Sequence, residues 1–474
     1  MLETVEARSS RVHAGMQLWF VAIAAVVVLA RLCHSGVLWA DDNLPLAAAM
    51  EVARGKTLYR DVWFDKPPLV AWFALAWGAR AGVMLRLAGA AYVIAVAWMC
   101  RKFAASKWGA REGLLAAAFA AFFLTFGLAS AVIPLASDML LILPHVAAIY
   151  LAWRGRAFWS GVAAGVGLLG SSKAIFVLAA CALWSWRSAP LLILGFAAPN
   201  ALALAWMWAH GSALDYYEQA WRWGSIYASH TFVTNPLVEG LKRTADWIGF
   251  QAALVLGAAI AILRERSWRV AAWIAICCVG VVLGLRFFPR YYFLLLPPMI
   301  VAASRGWSLM LSARPAAVAG LAVFLAIPAV RFAPQYIRVA RGEAWRDTAM
   351  DRDSRAASAK LLVLARRGDT LFVWGFRPDI FVDSHLPAAT RFLESQAISG
   401  LLADRHLFSN TPVSADFISA NRRELLASRP AWVVDGLGLL NPAAAIVKQP
   451  YLEEWMHQYV EVARTDFSIL YRLR

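Results

Sequence analysis

The sequence predicts an all-α polytopic membrane protein with a small C-terminal α/β domain outside the membrane. Three observations lead there. The 474 residues are 61% hydrophobic and 16% charged, with a mean hydropathy of +0.57, the composition of a chain whose solvent is lipid. Apolar runs recur through the first two thirds of the chain at roughly the 20 residues that cross a bilayer, some of them shorter. From 333 onward the pattern changes to spaced charges without a spanning run.

The elements follow in order. The first run, 18–38, has the look of a signal peptide, but no small-residue cleavage site follows it and many more apolar runs do, so it stays as a span. Further spans are expected at 86–101, 112–132, 138–153, 157–172, 174–186, 190–209, 246–263, 269–285, 291–304 and 315–331, about 11 transmembrane helices in all. The 174–186 piece is short, and the pair around Lys173 reads as a bent or partly re-entrant unit. Lys and Arg mark the connectors on one side: Arg101, Lys102, Lys107 and Arg111; Arg154 and Arg156; Arg264, Arg266 and Arg269; Arg305 and Arg314. All four share the side of the N-terminus, which is therefore cytoplasmic; the first loop, the 210–245 loop and the C-terminal tail face outward.

These runs divide the chain into a transmembrane domain, 1–332, with a first outer loop at 39–85, and an outer domain, 333–474. Within the latter, 354–367 reads as an amphipathic helix closed by Asp369, TLFVWG (370–375) as a strand, 415–428 as a second helix, AWVVDG (431–436) as a second strand, and 459–474 as a terminal pair of strands.

Composition also excludes functions. The net charge of +16 sits in short connectors rather than in one patch, which speaks against a nucleic-acid partner and for contact with membrane lipids. The five cysteines fall in or beside apolar runs without CxxC spacing, and the eight histidines form no HExxH, so nothing points to bound zinc. There is no nucleotide-binding GxGxxG, no P-loop and no internal repeat.

Chemistry concentrates in ADDNLPLAAAMEVARGKTLYRDVWFDKPPL, residues 40–69. Asp41 and Asp42 stand where the first span leaves the lipid, and adjacent carboxylates raise each other's proton affinity, which suits a general base. Alternatively Asp42 or Asn43 caps the helix expected at 44–54, with Pro45 in its first turn and Gly55 just past its end; one residue can cap while its neighbour does chemistry. Pro67 and Pro68 bias the preceding chain to extended geometry and present Lys66 on a stiff strut at the membrane surface. Its ammonium suits a phosphate headgroup, or else snorkels beside Trp63 and Phe64 as an interfacial anchor.

The order of these residues resembles the first periplasmic loop of the GT-C glycosyltransferases, with the acidic pair after the first span, then a helix, G-x-x-L-Y-x-D and K-P-P-L. The nearest likeness is to the family 39 protein-mannosyltransferase and aminoarabinose-transferase branch. That resemblance implies transfer of a sugar, with inversion, from a polyprenyl-phosphate carrier to an acceptor on the periplasmic face of a bacterial inner membrane. It extends along the chain. Arg31 lies where such sequences carry an arginine in the first span. SDMLLIL (137–143) resembles their acidic residue at the outer start of the fourth span, making Asp138 a second active-site carboxylate or, alternatively, that span's N-cap. GSSKAIF (170–176) is similar to their lysine-bearing turn and singles out Lys173. RFFPRYYFLLLPP (286–298) is similar to their segment that helps hold the lipid phosphate, which nominates Arg290, Tyr291 and Tyr292; the alternative is an aromatic belt with a snorkelling arginine. VWGFRPDIFVDSHLPAATRF (373–392) is like the outer domain of bacterial members. Two departures stand out: Asp-Asp replaces the common Asp-Glu, and Arg290 stands where many relatives carry histidine.

The implied mechanism has Asp41 as base, Asp42 and Asp138 orienting the acceptor or tuning its pKa, and Lys66, Arg290 and Lys173 stabilising the departing phosphate. A divalent cation held by Asp41 and Asp42 stays open, as does the acceptor: lipid, glycan or protein. The rival class is a transporter or flippase for a lipid-linked sugar, with the same cations guiding the headgroup and the carboxylates coupling to protons. A third reading is a non-catalytic subunit that keeps the fold.

Overall fold

The computed structural model describes residues 2–127, 135–230, 235–343, 345, 348–413 and 415–474. They fold as two compact units: Met1–Gly36, Gly82–Leu202 and Val233–Glu343 form one, and Val37–Ala81, Ala203–Phe232 and Ala344–Arg474 the other. The first outer loop, grouped by sequence with the spans, thus packs within the same unit as the C-terminal residues.

The first unit is helical. Among the described residues four helical stretches are long and apolar enough to cross a membrane: Val83–Lys107, Ala174–Ala209, Pro289–Ala313 and Ala316–Ala340. Shorter apolar helices occupy Gln17–Leu32, Ser137–Trp153, Ala157–Gly170 and Trp268–Val282. The span expected at 112–132 is a helix over Ala110–Phe123, and residues 128–132 lie outside the described ones. The span expected at 246–263 needs correction. Its first residues belong to the amphipathic helix Pro236–Phe250, opened by Asn235, whose side chain accepts from Val238 N. That helix meets Ala252–Glu265 at an 85° bend, so only 14 residues continue in the new direction. The apolar run hid the bend because charges at 239–246 fall on one face.

Glycines set the helix spacing. Gly257 and Gly306 place the backbones of Ala252–Glu265 and Leu296–Ala313 in direct contact, and Trp307 locks them with an indole N–H donated to Ala253 O at 2.7 Å. Gly161 and Gly165 of Ala157–Gly170 meet residues 192–196 and 196–200 in turn, so that helix runs parallel to Ala189–Ala209. Ala174–Ser185 lies between them in sequence and follows Ala157–Gly170 after three residues. The chain therefore doubles back at the 3-10 turn Trp186–Ser188, and the 36-residue stretch is two elements, as the sequence division at 186–190 expects. Arg305, which the sequence placed in a connector, lies inside the helix Leu296–Ala313 and pairs with Glu112 at 2.8 Å and Glu265 at 2.6 Å.

The second unit carries a four-stranded sheet: β1 (Leu371–Trp374), β2 (Trp432–Asp435), β3 (Tyr459–Arg464) and β4 (Ile469–Leu473), in the order β1-β2-β4-β3. β1 and β2 are parallel, with Leu371 opposite Trp432; the β2–β4 and β3–β4 pairs are antiparallel. β1 and β2 are buried throughout, which fits their unbroken apolar runs. Helices Ala349–Leu364 and Ala415–Ala427 precede the two parallel strands, and Asp369 accepts from Arg366 N at 2.9 Å and Trp432 Nε1 at 2.8 Å. Trp63, Trp223, Phe392 and Phe372 share the core of this unit, joining the outer loop to the sheet.

Candidate active site

In the first unit Asp138 sits in the first turn of Ser137–Leu140, whose N-cap is Ala136. The alternative role as N-cap is therefore corrected: the chain enters the helix one residue too early for the Asp138 carboxylate to cap it. Asp138 instead accepts from Lys173 Nζ at 2.7 Å. Lys173 is the N-cap residue of Ala174–Ser185, and its ammonium lies 3.4 Å from the centre of the Tyr291 ring. Both side chains of the pair are at most one-fifth exposed. An ammonium held between a carboxylate and an aromatic face is desolvated and fixed in direction.

Tyr291 follows a strained approach: Leu285 and Phe287 both have positive φ, 52° and 50°, a conformation disfavoured for bulky side chains and concentrated at functional sites. The 3-10 helix Pro289–Leu295 then carries Arg290, half-buried, and Tyr291. Tyr292 points elsewhere; its hydroxyl shares a 2.8 Å hydrogen bond with Thr244 Oγ1 and its ring stacks on Trp247. Arg31 is 4% exposed, with Nη2 3.8 Å from Met139 Sδ. It fits against Gly89, where a Cβ would stand 2.7 Å from Nη1. Two buried arginines escaped the sequence reading, Arg86, which donates to His34 O, and Arg286. Their signal was present, since each begins an expected span or motif segment, but a boundary arginine reads as snorkelling.

In the second unit Asp42 is buried and stands at the N-cap of Asn43–Ala53, yet its carboxylate makes no cap bond. Asn43 Oδ1 accepts from Leu44 N instead, so the expected side-chain cap to the second or third helical amide is absent for both residues. Asp41 has φ +79°, the left-handed region that aspartate tolerates better than most, and Asp42 N closes the turn onto Trp39 O at 3.1 Å. Gly55 ends the helix at φ +95°.

The second proline of the expected strut begins a helix. Pro68 is helical, φ −67° and ψ −31°, and caps Leu69–Leu75; lacking a donor costs nothing at a helix start. Lys66 is fixed by other means. Tyr59, buried and at φ +71°, donates its hydroxyl to Lys66 O at 2.8 Å. Gln219, in the π-helical turn Tyr217–Arg222, donates to Tyr59 O at 2.8 Å and accepts from Phe64 N at 2.9 Å. The ammonium is 3.1 Å from Asp65 Oδ2, which also accepts from Gln396 Nε2 at 3.2 Å.

The phrase 373–392 now has a physical role. Arg54 Nη2 donates to His385 O at 2.7 Å, Lys56 Nζ to Ala388 O at 2.8 Å, and Trp63 N to Arg391 O at 2.7 Å. The segment is zipped along the outer loop. Burial and the nearby Asp379 and Asp351 push the Asp383 carboxyl up to about 7, and burial raises Glu394 to about 8. Among the described residues no group of three or more His, Cys, Asp or Glu side chains is placed to hold a metal ion.

No family model matches the chain, and neither does any curated protein sequence. Solved structures do. ArnT from Cupriavidus metallidurans in the apo state superposes with a TM-score of 0.63 at 15% identity, covering 97% of this chain and 98% of that one. The same protein bound to undecaprenyl phosphate gives 0.60 at 15% identity, covering 96% and 98%. The Archaeoglobus fulgidus oligosaccharyltransferase in complex with Zn and sulfate gives 0.51 at 12% identity, covering 93% and 71%. The chain shares the fold of these structures, and the helical architecture with a small C-terminal sheet expected from the sequence stands, while the span count of about 11 is not established by helix length, which among the described residues yields four candidates or five with the bent pair.

Proposed function

We propose that this protein is a bacterial inner-membrane glycosyltransferase that moves a sugar from a polyprenyl-phosphate carrier to an acceptor at the periplasmic face, with inversion. The observation that carries the reading is the fold, shared along nearly the whole length with a structure that holds undecaprenyl phosphate. The Asp138–Lys173–Tyr291 cluster supports it, because a fixed ammonium stabilises the charge that develops on a departing phosphate. Lys66, Arg290 and Arg31 are the further cations that the sequence nominates for a donor phosphate. Asp41 takes the acceptor's proton as it attacks the anomeric carbon from the face opposite the phosphate; the sugar–phosphate bond breaks and its electron pair leaves with the phosphate. Asp42 orients the acceptor. The N-terminus lies in the cytoplasm and the C-terminal residues lie outside, following the basic connectors.

The test uses protein in lipid vesicles, a panel of radiolabelled polyprenyl-phosphate sugars and a membrane extract as acceptor, comparing wild type with Asp41→Asn and Lys66→Ala. Release of sugar by the wild type that falls at least about 100-fold in both variants supports base and clamp. Labelled lipid that crosses the bilayer with no sugar leaving any carrier overturns the reading in favour of a flippase.

A further inference from the structure

The turn that carries Asp41 is held from both sides by two carboxylates far away in sequence. On its N-terminal side the Leu38 N–H donates to Asp351 Oδ1 at 2.8 Å. On its C-terminal side Asn43 Nδ2 donates to Asp379 Oδ1 at 3.3 Å. Leu38, Asn43, Asp351 and Asp379 are all buried, so these bonds exchange little with water and their geometry is retained. The two carboxylates are themselves anchored. Asp351 Oδ2 pairs with Arg355 at 2.5 Å, and Asp379 lies 4.0 Å from Arg377, whose Nε donates to Ser354 Oγ at 2.8 Å and whose Nη2 meets Asp353 at 3.1 Å.

Between these clamps the chain adopts the left-handed conformation at Asp41. A non-glycine residue there is strained and persists only where its surroundings over-determine it. The backbone bond from Asp42 N to Trp39 O closes the turn, and the flanking clamps tie both of its ends to the helices that carry Asp351 and Asp379. From this geometry we infer that Asp351 and Asp379 are positioning residues, which fix the acidic turn so that Asp41 is aimed as a base. The inference rests on the transferase reading for its catalytic meaning and on the hydrogen bonds alone for its structural content.

The experiment uses the full chain in lipid nanodiscs with two readouts. Hydrogen exchange follows the peptide 37–44, and initial rates give kcat and KM for a labelled polyprenyl-phosphate sugar. Asp351→Ala and Asp379→Ala are expected to speed exchange in 37–44 while peptides from β1 to β4 keep their protection. Both lower kcat about 10 to 100-fold with KM within about threefold, the signature of a misaimed group rather than lost binding. Asp351→Asn and Asp379→Asn keep the accepting oxygen and recover to within about threefold of wild type. The double alanine variant is less impaired than the product of the singles, because both act on one turn. The inference is overturned by unchanged exchange in 37–44, by asparagine variants no better than alanine, or by equal loss of protection across the sheet. A wild type that transfers no sugar overturns the transferase reading, and the exchange readout still decides whether the two carboxylates hold the turn.

Discussion

Glu394→Gln offers a test of how the ground beneath Lys66 is built. Glu394 is 2% exposed and accepts from Gln396 N, the residue whose side chain donates to Asp65 beside Lys66. Burial, and then the Asp65 charge, raise its carboxyl from 4.5 to about 8, against the lowering effect of the Gln396 amide and Lys66. The folded protein therefore holds a proton there that the unfolded chain has released. Stability falls as pH rises between those two values and levels off beyond the upper one. At about 1.4 kcal/mol per pH unit the penalty is about 1 kcal/mol at pH 5, about 3 at pH 7 and about 5 at pH 9. Glutamine keeps an accepting oxygen for the Gln396 amide and never ionises. The variant is thus expected to match wild type near pH 5 and to be more stable by several kcal/mol near pH 9. Guanidinium unfolding of detergent-solubilised protein, followed by tryptophan fluorescence at the three pH values, measures the gap. A gap that does not widen with pH, or one of opposite sign, refutes burial as the cause of the neutral carboxyl.

Three further outcomes are expected. Gly306→Ala forces a methyl group against the Gly257 carbonyl, where both neighbours are backbone; overpacking of about 1 to 3 kcal/mol should appear as faster thermal inactivation, and an unchanged half-life would contradict the helix contact. Tyr59→Phe removes the hydroxyl from the Lys66 carbonyl, costing about 1 kcal/mol of stability and, on the transferase reading, several-fold of kcat about that size in energy. Lys173→Met leaves Asp138 without its partner and should destabilise by about 3 kcal/mol, measured as a lower denaturation midpoint. Adding Asp138→Asn should restore most of that stability while leaving sugar release abolished; recovery of turnover would remove Lys173 from the site.

The loop and the segment 379–396 form the more general lesson of this structure. The resemblance drawn from the sequence covers the loop and 373–392, and the hydrogen bonds explain why they go together: Asn43 to Asp379, Arg54 to His385, Lys56 to Ala388 and Trp63 to Arg391, with Gln396 to Asp65 just beyond. A bare outer loop has no core of its own with which to fix a carboxylate and an ammonium. Packing it on a sheet whose parallel strands β1 and β2 are fully buried supplies that rigidity.

By itself the sequence determined the membrane class, the helical runs, the strands of the small sheet and the place of the acidic pair and Lys66. Each of these follows from local composition and periodicity, which one stretch of chain carries alone. The 85° bend after Phe250, the helical start at Pro68 and the turn of Tyr292 toward Thr244 were hidden. Apolar length does not report direction, and a proline suits an extended strut and a first helical turn alike. Only the tertiary structure decided that Lys173 meets Asp138 and Tyr291, that Tyr59 and Gln219 fix the Lys66 backbone, and that Asp351 and Asp379 grip the Asp41 turn. Apart from Tyr59 to Lys66, those contacts join residues tens to hundreds of positions apart, and the choice of partner depends on which buried groups the packed helices and sheet leave within reach of one another.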